Sequence, residues 1–594
     1  MTLARPSVAN RYGIASPALV CGALLAAAVL LGTFLRLYFL SDQILIDDEW
    51  HGFFYVLGRN AAFLFTHFSI PGATCAPLHL YYHLLLGSVG WSEVLLRLPS
   101  IAAGVLGLVV LPLALRGILN RRALVIFGYL LAISPFLIFY SRFARPYSLE
   151  ALFGFLAVIA FYRWVTTGRR RWAVLYVATG VLAVYFHLFG VVVVVCPAAA
   201  VLLVKWLGRR YPGFLAANAS VPSAARMVAV VAAALGLSAL LVLPAFINSA
   251  RTSLGTIAGA GDPRQLSLWA SLEMLAGTPH YLLVALVVLM LVIGGVTVAQ
   301  RDRLLALCLG TTALGFVAAL AVSKPHSMHA PIVVCRYAVP LFPMAFVLMG
   351  VGLDRLLSGL VAAVPAAEQS RIACLSNAVG GVFLFGLLWT GPLRQTYTPG
   401  CNFTSHAVFQ DSYRPVDWRE SFHSEMAPPD FLVDTTISEA EVSPFYAQLA
   451  RLPDVAAIIE FPMLVGDHFN PYYYYQRFHR KRVLIGYSTT YPNPSALAAG
   501  HVFGDTYIDE VLSVVPDPKQ LHFRNLVNVD ATQAIAASGA GFLVIHRQFE
   551  AEFDRVARPH PCVPRVEQRC RETFGKPVFE DARLVVFRIG DARG

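Results

Sequence analysis

The stretch PALVCGALLAAAVLLGTFLRLYFL at residues 17–40 decides how the rest of the chain is interpreted. Arg5 and Arg11 precede it. The run is longer than the apolar region of a typical cleaved signal peptide, and it is long enough to cross the hydrocarbon core of a bilayer as one helix. We therefore interpret it as an uncleaved signal anchor whose N-terminus lies in the cytosol.

The composition of the whole chain is typical of a membrane protein. Of its 594 residues, 57% are hydrophobic and 14% are charged, and the mean hydropathy is +0.62. Soluble globular chains carry about 25% charged residues, so most of this apolar surface is expected to lie in lipid. The net charge of +11 could indicate nucleic-acid binding. Because the arginines form short clusters between apolar runs, as in cytoplasmic loops, we expect no nucleic-acid partner.

These basic clusters alternate with apolar runs in a regular order. Arginine-rich loops follow every second run, and such loops are predicted to be cytoplasmic. The segment APLHLYYHLLLGSVGW (76–91) is short, and counting it as a span would put the arginines on the wrong side. We therefore predict an interfacial or re-entrant helix there. The fold prediction is a polytopic α-helical membrane protein with about eleven transmembrane helices. After the first run, the spans are predicted at 98–115, 123–140, 147–162, 172–188, 190–207, 227–247, 281–299, 304–322, 337–353 and 375–391.

The composition changes at about residue 393, after which no long apolar run remains. Short β-like runs alternate there with helix-compatible segments. We predict a transmembrane domain over 1–392 and a soluble α/β domain over 393–594, which the parity of the spans places outside the cytosol. Cys562 and Cys570 lie close enough in sequence to form a disulfide in that compartment. The β-like runs are 455–461, 482–487, 541–547 and 583–589.

Three successive acids, Asp47, Asp48 and Glu49, follow the first span within ILIDDEWHGFFYV (44–56). Acids near the apolar boundary are costly and tend to be functional. Helix capping is the alternative, since Asp favours helix N-termini. Capping accounts for one acid but not for three, so at least one is predicted to have a chemical role.

Cations mark two other exterior segments, against the positive-inside trend. Arg142 and Arg145 lie in YSRFARPYSLE (140–150), and Lys324 and Arg336 lie in SKPHSMHAPIVVCRYAVP (323–340). Arginine binds phosphate through its charge and its bidentate geometry, although snorkelling to lipid headgroups is an open alternative. Four other residues have simpler interpretations: Glu150 as an arginine partner, His187 as a residue of the headgroup belt, and His326 and His329 as polar loop residues rather than metal ligands.

Acids and clustered cations at one membrane face suit a substrate with an anionic leaving group and a nucleophile that must lose a proton. A carboxylate can accept that proton, and cations can stabilise the charge that grows on a departing phosphate. A lipid-linked sugar phosphate is such a substrate, and its lipid tail would explain why the chain lies in the membrane.

Several motifs over about 17–345 resemble, in their order, the membrane-embedded (GT-C) glycosyltransferases, in the branch of the protein O-mannosyltransferases and the lipid A aminoarabinose transferase (glycosyltransferase family 39-like). The motifs are the Asp48–Glu49 pair, APLHLYY, SEVLLRLPS, SPFLIFYSRFARPYSLEAL, YFHLFG and RYAVPLFP. Where several relatives carry a second acid, this chain has Tyr147. For this reason we expect no obligatory metal and no other cofactor.

The resemblance implies an inverting hexosyl- or pentosyltransferase. Its donor would be a polyprenyl-phosphate sugar, and its acceptor a glycan, a lipid or a protein. The enzyme would lie in the bacterial inner or plasma membrane, with its C-terminal domain in the periplasm or outside the cell. Asp48 would act as the general base with Glu49 beside it. Residues expected to bind substrate are Asp47, His51, Arg142, Arg145, Tyr147, Lys324, Arg336 and Tyr337.

Two other functions compete with a transferase. A transporter or flippase of a lipid-linked or anionic substrate should place polar residues near the middle of broken spans and often contains repeated halves. Here the charges gather at one face and no repeat is found. A membrane scaffold that displays the exterior domain is the third hypothesis, and it requires no function of Asp48.

Overall fold

The computed structural model is predominantly helical. It describes residues 17–38, 40, 49, 52, 55–56, 59–68, 76–89, 92–207, 221–257, 268–325, 331–393, 442–455, 457–461, 475, 478–479, 481–484, 540–547 and 563–589. In the membrane part the helices are α1 Pro17–Leu37, α2 Ala61–Thr66, α3 Ala76–Gly87, α4 Glu93–Leu115, α5 Arg121–Ile133, α6 Pro135–Ser141, α7 Tyr147–Thr167, α8 Arg170–Phe186, α9 Val191–Leu207, α10 Ala224–Ile257, α11 Leu268–Ala276, α12 Tyr281–Arg301, α13 Arg303–Ser323, α14 Pro331–Tyr337, α15 Leu341–Ala362 and α16 Gln369–Thr390. A short 3₁₀ helix, Leu188–Gly190, precedes α9.

The spans occur where the apolar runs predict them. Nine of the described helices are long and apolar enough to cross a membrane, and the bent pair α5–α6 makes a tenth. The helix α8, with 17 residues, occupies the remaining predicted run. Large apolar side chains on the outer helices face away from the protein, such as Leu30 on α1 at 72% exposed and Val382 on α16 at 69%. Exposed apolar surface on this scale is stable only in lipid, so the chain is a multi-pass membrane protein.

The helix α7 lies at the centre of the bundle. Phe155, Val158 and Trp164 on this helix have no exposed surface, and α7 packs against α4, α8, α9 and α15. Elsewhere small residues let helix backbones approach closely, as is usual between helices in lipid. At Gly294 on α12 and Gly352 on α15, an added Cβ would collide with the backbone of the facing helix.

The two ends of the bundle differ in charge. At one end of the bundle α4 and α7 begin, and α6 and α8 terminate. We call this end the site face. The opposite end is called the basic face, and it carries Arg116, Arg121, Arg122, Arg163 and Arg171. On this side Arg163 donates to the carbonyl oxygen of Ala114, at the end of α4, at 2.8 Å. This grouping agrees with the alternation of basic loops in the sequence.

A buried arginine stabilises the bend between α5 and α6, which meet at 55°. Pro135 has no N–H to donate to the carbonyl of Leu131, four residues earlier. Arg36 on α1 donates to that carbonyl at 3.1 Å and to the hydroxyl of Ser141 at 3.1 Å. The guanidinium therefore replaces the hydrogen bond that the proline removes, and it links α1 to both halves of the bent helix.

Replacing Arg36 with leucine should lower the free energy of unfolding by about 1–3 kcal/mol, because buried carbonyl groups lose their donors. Thermal unfolding of the purified protein in lipid nanodiscs measures the effect. The double variant Arg36→Leu/Pro135→Ala regains an N–H for Leu131 and should recover part of the loss. If the single and double variants unfold at the same temperature, this explanation of the bend is wrong.

The C-terminal part contains a five-stranded sheet with the order β2-β1-β3-β5-β4. Its strands are β1 Ala457–Phe461, β2 Arg482–Leu484, β3 Ala540–His546, β4 Phe579–Glu580 and β5 Leu584–Arg588, with helices α17 Pro444–Ala450 and α18 Val563–Phe574. The first three strands are parallel and the other pairs are antiparallel. Four predicted β runs therefore form strands of one α/β sheet. The domain boundary at 392/393 stays a prediction, since 394–441 lie outside the described residues. The disulfide between Cys562 and Cys570 also stays a prediction, since Cys562 lies outside them.

A buried polar cluster fixes α17 and the 475–479 segment to this sheet. Glu460 on β1 and the imidazole Nε2 of His546 on β3 are 2.6 Å apart. The hydroxyl of Tyr446 donates to Glu460 at 3.0 Å, and the ring of Tyr475 stacks on both Tyr446 and His546. All four residues are buried, so we interpret the cluster as a structural network that holds the strand ends together.

Candidate active site

The turn at 142–146, between α6 and α7, is the structural centre of the site. The hydroxyl of Tyr82 on α3 donates to the carbonyl of Ala144 at 2.8 Å, and Ser100 on α4 donates to the carbonyl of Arg145 at 2.8 Å. The amide of Ala144 donates to the carboxylate of Glu49 at 2.7 Å. The turn is thus held from three directions, and the first exterior loop is brought against the second.

Glu49 forms a fully buried ion pair with Arg97. The guanidinium donates through Nε at 2.8 Å and through Nη2 at 2.7 Å, and neither side chain has exposed surface. Bidentate geometry of this kind holds a carboxylate in one orientation. Sequence reasoning placed Glu49 beside the catalytic base. Its described contacts are with Arg97 and with the amide of Ala144, so its role in the chemistry stays a prediction.

Breaking this pair from either side should destabilise the protein by about 3–5 kcal/mol, because the remaining charge stays buried without its partner. The variants are Glu49→Gln and Arg97→Met, and the measurement is thermal unfolding in nanodiscs. Asp454→Asn is the matched control, since Asp454 and Arg588 form an ion pair at 3.6 Å whose side chains are 62% and 52% exposed. That control should unfold near the wild-type temperature. Equal, small shifts in all three variants would contradict the structural role of the pair.

Arg142 is buried and reaches towards the end of α1. Its Nη1 donates to the carbonyl of Tyr38 at 2.6 Å and to that of Arg36 at 3.2 Å. Carbonyls at a helix C-terminus lack partners within the helix and attract cations. The structure therefore places Arg142 as a connection between α1 and the 142–146 turn, and a role in binding phosphate stays a prediction.

A second group of side chains lies near the 142–146 turn and consists of Arg145, Arg336, His187, Tyr147 and Tyr337. The guanidinium of Arg336 on α14 lies 5.7 Å from the ring centre of Tyr147 and 5.3 Å from that of Tyr337. The His187 ring lies 5.3 Å from Tyr337 and 6.2 Å from Tyr147. Tyr147, at the start of α7, and Tyr337, at the end of α14, are thereby joined through the histidine.

The pKa values of two buried histidines show which arginines lie near them. Burial, followed by the positive charges of Arg336 and Arg145, lowers the pKa of His187 to about 3. Burial, followed by the charges of Arg145 and Arg59, lowers the pKa of His79 to about 3. Arg145 therefore lies within electrostatic reach of both imidazoles. Both rings are neutral at pH 7.

These histidines should make the protein sensitive to acid. Each pKa in the folded protein lies below its ordinary value of 6.5. The contribution of each neutral histidine to the free energy of unfolding is therefore fully present above about pH 6.5 and is lost as the pH falls towards 3. The slope is up to about 1.4 kcal/mol per pH unit for each histidine. In His187→Asn the side-chain oxygen can still accept from the Phe189 amide, as the imidazole Nδ1 does at 3.3 Å. Unfolding temperatures between pH 7 and 5 should fall less steeply in this variant, and an unchanged slope would contradict the assignment.

Glu150, one turn into α7, is fully buried. Its Oε1 lies 3.7 Å from Nδ1 of His187, too far for a hydrogen bond, and that nitrogen already accepts from Phe189. The sequence suggested an arginine partner, but among the described residues no arginine forms a hydrogen bond or ion pair with this carboxyl group. Glu150 thus places a buried carboxyl group beside His187.

Comparison with known proteins gives neighbours only among solved structures. No protein-family model matches the chain, and no curated protein does. ArnT from Cupriavidus metallidurans in the apo state superposes with a TM-score of 0.49 at 15% identity, over 97% of this chain and 99% of that chain. The structure of ArnT bound to undecaprenyl phosphate gives 0.48 at 15%, with the same coverage.

A third neighbour is an oligosaccharyltransferase. AglB from Archaeoglobus fulgidus, in complex with an inhibitory peptide and a dolichol-phosphate, gives a TM-score of 0.43 at 12% identity, over 89% of this chain and 70% of that chain. The two kinds of neighbour, an aminoarabinose transferase and an oligosaccharyltransferase, are both GT-C glycosyltransferases.

The structure does not bring Lys324 to the cluster that contains Arg336. Lys324 ends α13 in the left-handed conformation, with φ of 40°, and its side chain is exposed. Within the described part of the chain, no hydrogen bond or ion pair joins it to the site. Its expected place beside the donor phosphate therefore has no support among these contacts.

Five of the residues that the sequence singled out for the site lie outside the described part of the chain. Within the described ranges, no group of three His, Cys, Asp or Glu side chains could hold a metal ion. The residues outside the described part of the chain are Asp47, Asp48, His51, His326 and His329. The expectation of a metal-independent enzyme stays a prediction.

Sequence reasoning missed three arginines of this region. Arg97 and Arg36 lie at the edges of apolar runs, where a cation resembles an ordinary boundary residue. Arg59 lies in the first exterior loop, with its guanidinium 4.2 Å from the ring centre of Tyr55. A usable signal existed for Arg59: it is a cation in an exterior segment, which is the same criterion that singled out Arg145.

Proposed function

We propose that this protein is a glycosyltransferase that moves a sugar from a polyprenyl-phosphate donor to an acceptor at the site face. The observation that carries the proposal is the placement of Arg336 against the rings of Tyr147 and Tyr337, both of which lie against His187. Arg145 lies within electrostatic reach of the same imidazole. The pair of cations suits a phosphate, and the tyrosine rings suit a sugar or the first isoprene units of a lipid. The site face would be exterior, because the arginine-rich loops belong on the cytosolic side.

The chemistry is a single displacement. Asp48, the covalent neighbour of Glu49, accepts the proton of the acceptor group as that group attacks the anomeric carbon. The bond between this carbon and the phosphate oxygen breaks, and the electron pair leaves with the polyprenyl phosphate. One displacement inverts the anomeric configuration. Arg336 and Arg145 stabilise the negative charge that grows on the phosphate.

The neutral imidazole of His187 has a different part in this scheme. The imidazole adds no third positive charge to those of Arg336 and Arg145, the described cations whose charges act on it. Its ring positions Tyr337 and Tyr147 instead.

A transporter of the same lipid is the second candidate. The same cations could bind its phosphate, but three of the buried charged residues of the described spans, Arg36, Arg97 and Glu150, lie within about two turns of the site face. The fourth, Asp354 on α15, lies at the basic face beside Arg122. A transport path needs polar groups near the midplane. This distribution favours chemistry at one surface over passage through the bundle.

The two functions differ in their products. Purified protein in liposomes is supplied with polyprenyl phosphate that carries a radiolabelled sugar, together with an envelope extract as acceptor. A transferase yields labelled acceptor and sugar-free polyprenyl phosphate. A transporter moves the intact labelled lipid between leaflets and leaves the sugar attached. Intact donor in every condition, with rapid transbilayer movement, would overturn the proposal.

A further inference from the structure

A long apolar groove lies on the membrane side of the bundle, away from the site face. It is bounded by α1, α5 and α16 and has a volume of about 720 Å³. This volume falls within the range of about 300–1,000 Å³ that is usual for ligand-binding cavities. Its walls are mainly aliphatic and aromatic, with Leu24, Leu31, Tyr129, Leu384, Phe385 and Leu388 among the lining residues.

The groove has the length of an acyl chain. It follows α1 from Pro17 to Leu31, a distance of about 21 Å at a helical rise of 1.5 Å per residue. One leaflet contributes about 15 Å to the hydrocarbon core of a bilayer. Side chains along its rim face lipid, since Leu24 is 42% exposed and Phe385 is 56% exposed. An extended lipid tail therefore fits between the helices from the bilayer side.

Positive charge is confined to one end of the groove. Arg121 and Arg122, the first residues of α5, line it at the basic face. Arg121 is exposed, and within the described residues its side chain has no ion pair. Nη1 of Arg122 lies 3.7 Å from the Asp354 carboxylate and donates to the hydroxyl of Ser358 at 3.4 Å. Two adjacent guanidinium groups at the mouth of an apolar groove match an anionic headgroup above an acyl chain.

We propose that this groove binds an anionic phospholipid of the leaflet at the basic face. Its phosphate would lie on Arg121 and Arg122, and one acyl chain would lie between α1, α5 and α16. The site is at the opposite end of the bundle from the cluster around Arg336, so it stands or falls independently of the proposed transferase activity.

Two variants separate the parts of this site. Arg121→Gln/Arg122→Gln removes the charge and leaves the walls intact. Gly381→Phe fills the groove, because Gly381 lines it and an added Cβ there would meet no atom within 4 Å. Gly295→Phe is the matched control: an added Cβ is equally unobstructed there, and Gly295 lies on α12, which does not line the groove.

The experiment is photo-cross-linking in nanodiscs, with phosphatidylglycerol or phosphatidylcholine that carries a diazirine in one acyl chain. Phosphatidylglycerol should label peptides of α1, α5 and α16 more strongly than phosphatidylcholine. The double arginine variant should lose that preference, with a decrease of roughly tenfold or more for the anionic lipid. Gly381→Phe should lose labelling by both lipids, and Gly295→Phe should retain it. Unfolding temperatures establish that each variant is folded.

Three results would overturn the proposal. Equal labelling by both lipids in wild type would show ordinary boundary lipid. Labelling that persists in Gly381→Phe would place the lipid elsewhere. Cross-links from a photoreactive residue at position 384 to the chain's own residues 1–16, or to a second copy, would show that protein and not lipid fills the groove.

Discussion

Replacing Asp48 with asparagine should lower sugar transfer by about 10²–10⁴-fold, the usual contribution of a positioned general base. Asparagine has nearly the same shape but cannot accept the proton of the acceptor. The change removes one charge and keeps the size of the side chain, so the variant should fold and bind donor normally. The measurement is transfer of radiolabelled sugar at saturating donor, with donor affinity determined separately.

Asp47→Asn is the control for this experiment, because it removes the same charge one residue earlier. Because Asp47 is expected to bind substrate and not to accept the proton, its loss should weaken donor affinity more than turnover and should leave the wild-type pH dependence. If Asp48→Asn keeps full activity, the scaffold or transporter hypothesis gains and the proposed base is wrong. If Asp47→Asn has the larger effect, the base lies one residue earlier than proposed.

Replacing Arg336 with methionine should lower transfer by about 10²–10³-fold, the range observed when one group that stabilises transition-state charge is removed. Methionine keeps an unbranched apolar stem against Tyr147 and Tyr337 but carries no charge. Lysine at the same position should restore part of the activity, because it supplies charge without the planar fork of the guanidinium. Turnover and donor affinity are both measured, since charge on the leaving phosphate grows mainly during the reaction.

Lys324→Met is the matched control for Arg336→Met. Both remove one cation from the same exterior segment, but the Lys324 side chain is exposed and has no described contact with the cluster. We expect this control to change transfer less than about threefold, as for an exposed charge. The assignment would fail if both variants lost activity equally, because the effect would then reflect the overall charge of the face.

The spans could be predicted from the sequence because lipid exposure imposes a strong, local requirement. A helix that faces acyl chains must be apolar over about 20 residues, and its ends are marked by arginines. Exclusion of the 76–91 segment from the spans also follows from charge parity, and the structure forms α3 there. The four β runs were recognisable for a similar reason, since buried strands such as β3 are nearly continuous in apolar residues.

The pairings within the site could not be predicted, because they depend on contacts between distant segments. Glu49 and Arg97 are 48 residues apart, and Arg36 acts on a bend 95 residues later. Arg142 and Arg145 look equivalent in the sequence, yet one contacts the end of α1 and the other acts on two buried histidines. Lys324 and Arg336 lie in one segment of the sequence, but Lys324 ends α13 with an exposed side chain and Arg336 lies on α14 in the cluster.

The central claim is that the lipid phosphate binds beside Arg336 at the site face. The most direct measurement replaces Tyr337 with p-benzoylphenylalanine and irradiates the protein with radiolabelled polyprenyl phosphate. The account predicts a cross-link at position 337 that unlabelled polyprenyl phosphate suppresses and that Arg336→Met reduces. An active enzyme that forms no such cross-link, or one whose cross-link is unaffected by the loss of Arg336, would contradict it.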